Sequence, residues 1–316
     1  MRVMRIAVIG AGGVGGYFGG RLAAGGHEVI FVVRGRTLEA LRARGLRVDS
    51  IRGDFTVNPV QATDDPSSIG PVDTVLVAVK SWQLAEAAAI VKPLIAPETI
   101  VVPLLNGMEA PEILSGALGS PHVLGGLCGI VSFIVEPGHI RHAATEPFVM
   151  FGELDQPTSA RAERLREAFA QSGVQADVAP DIVHAMWSKF LFITPMSAIG
   201  ALTRLPVGEW RSQPETREVA VLVLREMIEI ASRRGVRLSE EDIDRTLQRF
   251  DALAPESTSS LQRDVMNGLP SELDAQLGAV LRMAGQSGSS GAVCEMLYAL
   301  LLPQERRARR DRTSGA

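Results

Sequence analysis

A chain of 316 residues with a formal net charge of -4 and only 5% aromatic residues has neither the basic field nor the stacking surfaces that nucleic-acid binding requires. Its 46% hydrophobic and 22% charged residues are ordinary for a globular protein, and its length suits two domains. Cys128 and Cys294 are far apart and form no C-x-x-C, so two buried thiols in a reducing compartment are expected.

The first elements carry the strongest signal. Arg5–Gly10 (RIAVIG) reads as a short buried strand, a glycine run follows, and Tyr17–Ala24 is helix-forming. Gly25-Gly26 closes that helix, and Glu28–Val33 is a second apolar strand. Gly10, Gly12 and Gly15 have the G-x-G-x-x-G spacing in its confirming context, after a strand and opening a helix. The first glycine would make the turn, the second would admit a pyrophosphate close to the backbone, and the third would let helix and sheet pack closely. The loop Gly10, Ala11, Gly12, Gly13, Val14 and Gly15 is therefore the expected phosphate cradle, aided by the positive end of the helix dipole. An NAD site usually has an acidic residue about 20 residues beyond these glycines. This chain has Arg34, with Arg36 close behind, which suits a 2′-phosphate and predicts NADP(H).

Further along, Thr37–Arg44 reads as a short helix and Leu46–Val60 as a hairpin or an irregular strand with a turn at Gly53-Asp54. Val72–Val79 is an apolar run of buried-strand type ended by Lys80, Gln83–Ile95 is helical, and Thr99–Leu105 is a strand that turns at Asn106-Gly107. Val123–Ile134 is another apolar run, Gly138–Ala143 and Pro147–Phe151 read as a strand pair, and Thr158–Gly173 is an amphipathic helix. Strands alternating with helices predict an α/β fold with a doubly wound parallel sheet over residues 1–178. Ligands of such sheets bind beyond the carboxyl ends of the strands, which singles out the glycine loop, Arg34, Lys80 and Asn106. Lys80 also fits a solvated strand end, and Asn106-Gly107 a simple turn.

Residues 179–303 change character, with helical segments at Asp181–Leu202, Pro214–Gly235, Ser239–Leu253, Ser260–Asn267, Ser271–Ala284 and Ala292–Leu301. An all-helical second domain is expected, followed by a charged, disordered tail over 304–316. The most apolar stretch, Ala185–Leu202, contains Lys189 and Pro195 and reads as a core helix, so no membrane contact is expected. No cleavable signal is visible, and the expected location is cytoplasmic. A lone lysine in so apolar a helix either snorkels to the surface or belongs to a site. Ser259-x-x-Gln262 fits a capping box before Ser260, and Glu272 follows Pro270-Ser271 at a helix start. The five histidines show no metal-ligand spacing, and no metal is expected.

Taken together, IGAGGVGGYFGGRL at the start, VAVKSWQ at 77–83, LLNGME at 104–109, MWSKF at 186–190 and STSSLQRDVMNGLPSELD at 257–274 resemble the ketopantoate reductase family along nearly the whole chain. The resemblance implies a Rossmann domain, an all-helical domain with the active site in the cleft, and NADPH-dependent reduction of 2-dehydropantoate to (R)-pantoate, a step toward pantothenate and coenzyme A. By the same resemblance Lys189 is the general acid, and Asn106 positions substrate and nicotinamide. Lys80 is a cation on the cofactor and substrate side, Ser260 and Glu272 are the substrate-domain pair, and Arg34 is the 2′-phosphate ligand. Members of the family carry asparagines four and eight residues after the lysine, where this chain has Ile193 and Ser197. Ser197 can still bind substrate and Ile193 cannot, so a different 2-oxo acid is an alternative substrate. A homodimer is a further expectation.

Overall fold

The structure is a computed structural model in which residues 3–314 are described. The chain divides into two compact units, one made of the residues up to Leu105 with Ala110–Ile182, the other of Asn106–Glu109 with Val183 onward.

The first unit begins with β1 (Arg5–Ile9), α1 (Gly13–Ala24), β2 (Glu28–Val32) and α2 (Gly35–Arg44), followed by β3 (Leu46–Ser50), β4 (Phe55–Val57) and β5 (Gln61–Thr63). It continues with β6 (Thr74–Val77), α3 (Leu84–Val91), β7 (Ile100–Pro103), α4 (Ala110–Leu118), β8 (Gly125–Glu136), β9 (His139–Gly152), α5 (Ala160–Gln171) and β10 (Gln175–Val178). The order β5-β2-β1-β6-β7 makes a five-stranded sheet whose pairings are all parallel. β6 and β7 are buried at every position, as expected of strands covered on both faces. The chain runs outward from β1 through β2 to β5 and then returns to β6, so the topological switch lies between β1 and β6.

The remaining strands build a second sheet that the sequence did not announce. Its order is β10-β9-β3-β4, with β8 antiparallel to β9. The predicted strand pair at 138–151 is one long strand, β9, with β8 as its partner. Thr145 at φ 69° and the shifts of register between β8 and β9 absorb, as bulges, the interruption that reads in sequence as a turn. β10 was missed because four residues with one buried side chain carry almost no periodic signal.

In the second unit the helices are α6 (Ile182–Thr203), α7 (Val207–Trp210), α8 (Pro214–Arg233), α9 (Glu240–Ala252), α10 (Ser260–Met266), α11 (Ala279–Ser287) and α12 (Ala292–Ser314). α6 is long and apolar enough to cross a bilayer by length and composition, yet 61% of its apolar window is buried inside the protein. Its Trp187, Phe190, Leu191, Ala198 and Ala201 share a core with α8, α11 and α12. Two expectations fail here. The tail is not disordered over its described residues: α12 continues as helix through Ser314, because buried Leu301, Glu305 and Ala308 hold it to the unit, and residues 315–316 of the expected tail lie outside the described residues. The predicted helix Ser271–Ala284 opens as a π-helical segment, Asp274–Gly278, before becoming α11.

Candidate active site

In the first unit the site is built from backbone. Gly10, directly after β1, has φ 93°, and a Cβ there would lie 2.9 Å from the Ala78 carbonyl oxygen at the end of β6. The glycine turn thus sits beside the topological switch. A Cβ on Gly15 would approach the Gly10 carbonyl oxygen to 2.0 Å, so only glycine lets α1 start this close to the strand. Gly12 is the opposite case: a Cβ there would meet nothing within 4 Å. Gly10 and Gly15 are thus required sterically, and Gly12 leaves open space at the helix start. Ala11 is buried and Val14 packs on the core of the unit, leaving the backbone as the polar surface of the turn. The first turn of α1 has neither a side-chain cap nor an acidic residue, so an anion would meet amide dipoles without a competing carboxylate.

β8 crosses the same helix start. A Cβ on Gly13 would lie 2.6 Å from the Ser132 carbonyl oxygen, and the Ser132 hydroxyl is buried there without a hydrogen-bond partner. No sequence motif marks Ser132. Arg34 follows β2 and begins α2, on the rim where the sequence predicts it. Its guanidinium is exposed and pairs with the Glu86 carboxylate of α3 at 2.6 Å. An exposed pair of this kind is worth at most about 1 kcal/mol, so a phosphate dianion can displace it. Lys80, half-buried beyond β6, holds its ammonium 5.7 Å from the Trp82 ring centroid.

The second unit holds its own cluster of candidate residues, built from side chains. Asn106, 166 residues from Glu272 in sequence, donates from Nδ2 to Glu272 Oε2 at 3.1 Å. Glu272 is only 6% exposed. Both partners are anchored from outside. The Ser271 N–H and hydroxyl donate to buried Glu305 at 2.9 and 2.6 Å, and Arg309 pairs with the other oxygen of Glu305 at 2.7 Å. Glu305 and Arg309 belong to the stretch that the sequence assigned to a disordered tail. On the other side, Arg282 forks onto Glu109 at 2.7 and 2.6 Å and reaches Asp274 at 3.1 Å. The hydrogen bonds to Glu109 outweigh burial and raise the guanidinium pKa above its already high ordinary value. Gly107 has φ 104°, and a Cβ there would lie 2.8 Å from the Ala275 carbonyl oxygen, so glycine is needed for Asn106–Glu109 to lie against the 272–275 segment.

Lys189, Ile193 and Ser197 fall on successive turns of α6, on one face. Lys189 is half-buried, whereas Ser197 is 1% exposed with its hydroxyl unpartnered, as is the hydroxyl of Thr194. Ser260 is half-buried and opens α10 behind its cap, Ser259, whose oxygen accepts from the Gln262 N–H at 3.0 Å. The reciprocal half of the predicted capping box does not form, because the Gln262 amide donates to the Leu205 carbonyl instead. Several histidines have structural tasks: His139 bonds Asp49 at 2.9 Å, and buried His142 meets the Ser50 hydroxyl and the Thr145 carbonyl.

Residues 6–156 match the family described as ketopantoate reductase PanE/ApbA, and residues 181–305 match the C-terminal region of the same family. An uncharacterized oxidoreductase of Bacillus subtilis, YkpB, is 33% identical over 300 residues, which is 94% of this chain and 98% of that protein. A 2-dehydropantoate 2-reductase of Archaeoglobus fulgidus is 30% identical over 302 residues, 95% of this chain and 98% of that one. The crystal structure of 2-dehydropantoate 2-reductase from Geobacter metallireducens superposes with a TM-score of 0.88 at 31% identity, covering 95% of this chain and 99% of that one.

Proposed function

The chain belongs to the ketopantoate reductase family of oxidoreductases, and from that premise we propose that it uses NADPH to reduce 2-dehydropantoate to pantoate. The observation that carries this reading is the Asn106–Glu272 hydrogen bond, which joins two distant landmarks into one part-buried polar pair. The glycine turn supports the cofactor half: Gly12 leaves space at a helix start that has no capping side chain and no acid. Gly10, Ala11, Gly12, Gly13, Val14 and Gly15 would hold the pyrophosphate through backbone amides, and Arg34 would exchange Glu86 for the 2′-phosphate. Lys80 would add a cation on the same rim, and Asn106 would orient the ring and the substrate.

A bound reduced nicotinamide would supply hydride to the keto carbon. The protein's task is the charge that then develops on the carbonyl oxygen. The Lys189 ammonium stabilises that charge and donates a proton to it. The buried Glu272 carboxylate, oriented by Asn106, accepts a hydrogen bond from a substrate hydroxyl or from the acid itself. Ser197 and Ser260 offer hydroxyls to the substrate's polar groups.

A second reading keeps this chemistry and changes the substrate to another 2-oxo acid. Ile193 favours it, since an apolar side chain stands between Lys189 and Ser197 on their face of α6. The test is NADPH oxidation with a panel of 2-oxo acids that includes 2-dehydropantoate, with NADH run in parallel. Highest kcat/KM with 2-dehydropantoate and NADPH is expected. Turnover of only other acids would move the assignment to the second reading, and no oxidation with any of them would reject both.

A further inference from the structure

The π-helical segment Asp274–Gly278 contains a side chain that the core of the unit does not need. Gln276 follows Glu272 by one turn, and its N–H donates to the Glu272 carbonyl at 3.1 Å. Its side chain is 1% exposed, and neither Oε1 nor Nε2 has a hydrogen-bond partner. Among the described residues it is the one buried carboxamide with both ends unpaired. Its neighbours in sequence, Leu273, Leu277 and Val280, are the residues a core asks for, and they pack in the main cluster of the unit. A leucine or methionine at 276 would fill similar volume without stranding a donor and an acceptor. The protein therefore carries a polar group here at a cost to its own stability.

The surroundings indicate what the amide is for. Gln276 follows directly after Ala275, against whose carbonyl Gly107 is fitted, and comes one turn after Glu272, to which Asn106 is bonded. Its backbone belongs to a π-helical turn, a distortion found mostly at functional sites because it re-aims the side chains of a helix. A carboxamide offers one acceptor and two donors. A carboxylate would use only the donors and leave the oxygen stranded, whereas a hydroxyl can use both ends.

Accepting the reading as a 2-oxo acid reductase, we propose that Gln276 determines specificity by hydrogen-bonding a hydroxyl carried by the substrate beyond its 2-oxo acid head. The experiment compares matched pairs: 2-dehydropantoate with its analogue in which hydrogen replaces the hydroxyl, and hydroxypyruvate with pyruvate. The wild type should prefer the hydroxylated member of a pair by at least about tenfold in kcat/KM, since a polar site rejects a substrate that leaves its groups unpaired. Gln276→Leu should lose that preference, chiefly through the hydroxylated acid, while its Tm stays level or rises. Gln276→Met, unbranched like glutamine, serves if the leucine variant does not fold. A variant that keeps the wild-type preference, or one whose Tm falls while both acids lose equally, would overturn the proposal. Equal use of both members of every pair by the wild type would reject Gln276 as a reader and leave the reductase reading intact. No NADPH oxidation with any acid would reject both.

Discussion

The two units make their polar surfaces by different means. In the first unit the glycine turn presents backbone amides with no capping or acidic side chain, and its residues matter for what they lack. In the second, everything depends on side chains held by other side chains, with Glu272 bonded by Asn106 and its segment tied down through Ser271, Glu305 and Arg309. A backbone site leaves a short, contiguous spacing in sequence, whereas a side-chain site is scattered. A substitution should therefore be felt sterically in the first unit and through loss of orientation in the second.

The sharpest way to break this contrast is within the glycine turn itself. Gly15→Ala places a Cβ 2.0 Å from the Gly10 carbonyl oxygen. Such overpacking costs about 1–3 kcal/mol or more, so both Tm and NADPH binding should fall. Gly12→Ala meets nothing within 4 Å in the protein alone, so Tm should hold while the KM for NADPH rises. Thermal melts with and without NADPH separate the two. Equal destabilisation by both variants would show that Gly12 is there for folding.

An orientation effect of intermediate size is expected from Arg282→Met. It releases Glu109 and Asp274 and thereby loosens the hold on Asn106. Partly exposed pairs contribute about 1 kcal/mol, so kcat should drop roughly fivefold with little change in NADPH affinity. Unchanged kcat would mean that Gly107 alone sets the position of Asn106. The smallest effect belongs to Glu86→Gln, which leaves Arg34 available to a 2′-phosphate and should lower the KM for NADPH, but not for NADH, by about two- to fivefold. Parallel changes with both cofactors would remove Arg34 from the 2′-phosphate site.

The same contrast explains what could be read from the sequence. Gly10, Gly12 and Gly15 declared the turn, and the continuous apolar runs declared the parallel sheet, because both are local patterns. The second sheet was illegible, since β9 hides a bulge at Thr145 and β10 is only four residues long. Asn106 was singled out by its place after a strand and Glu272 by its place at a helix start, both strengthened by resemblance, but no local pattern tells that they are bonded. The tail was misjudged because its composition is that of a solvated segment. Glu305 and Arg309, four residues apart, are a helical pair, and that spacing was the available clue. Gln276 left no signal, because a glutamine in a helix is ordinary until its burial is known.

The proposed reduction depends most heavily on Lys189 as the proton donor to the reacting oxygen. Single-turnover reduction of 2-dehydropantoate by Lys189→Ala, with NADPH binding measured on the same sample, tests it directly. The expected result is nearly unchanged NADPH affinity with a reduction rate lowered by about 10²–10⁴, the usual loss when a positioned acid is removed. Reduction at close to the wild-type rate would contradict it.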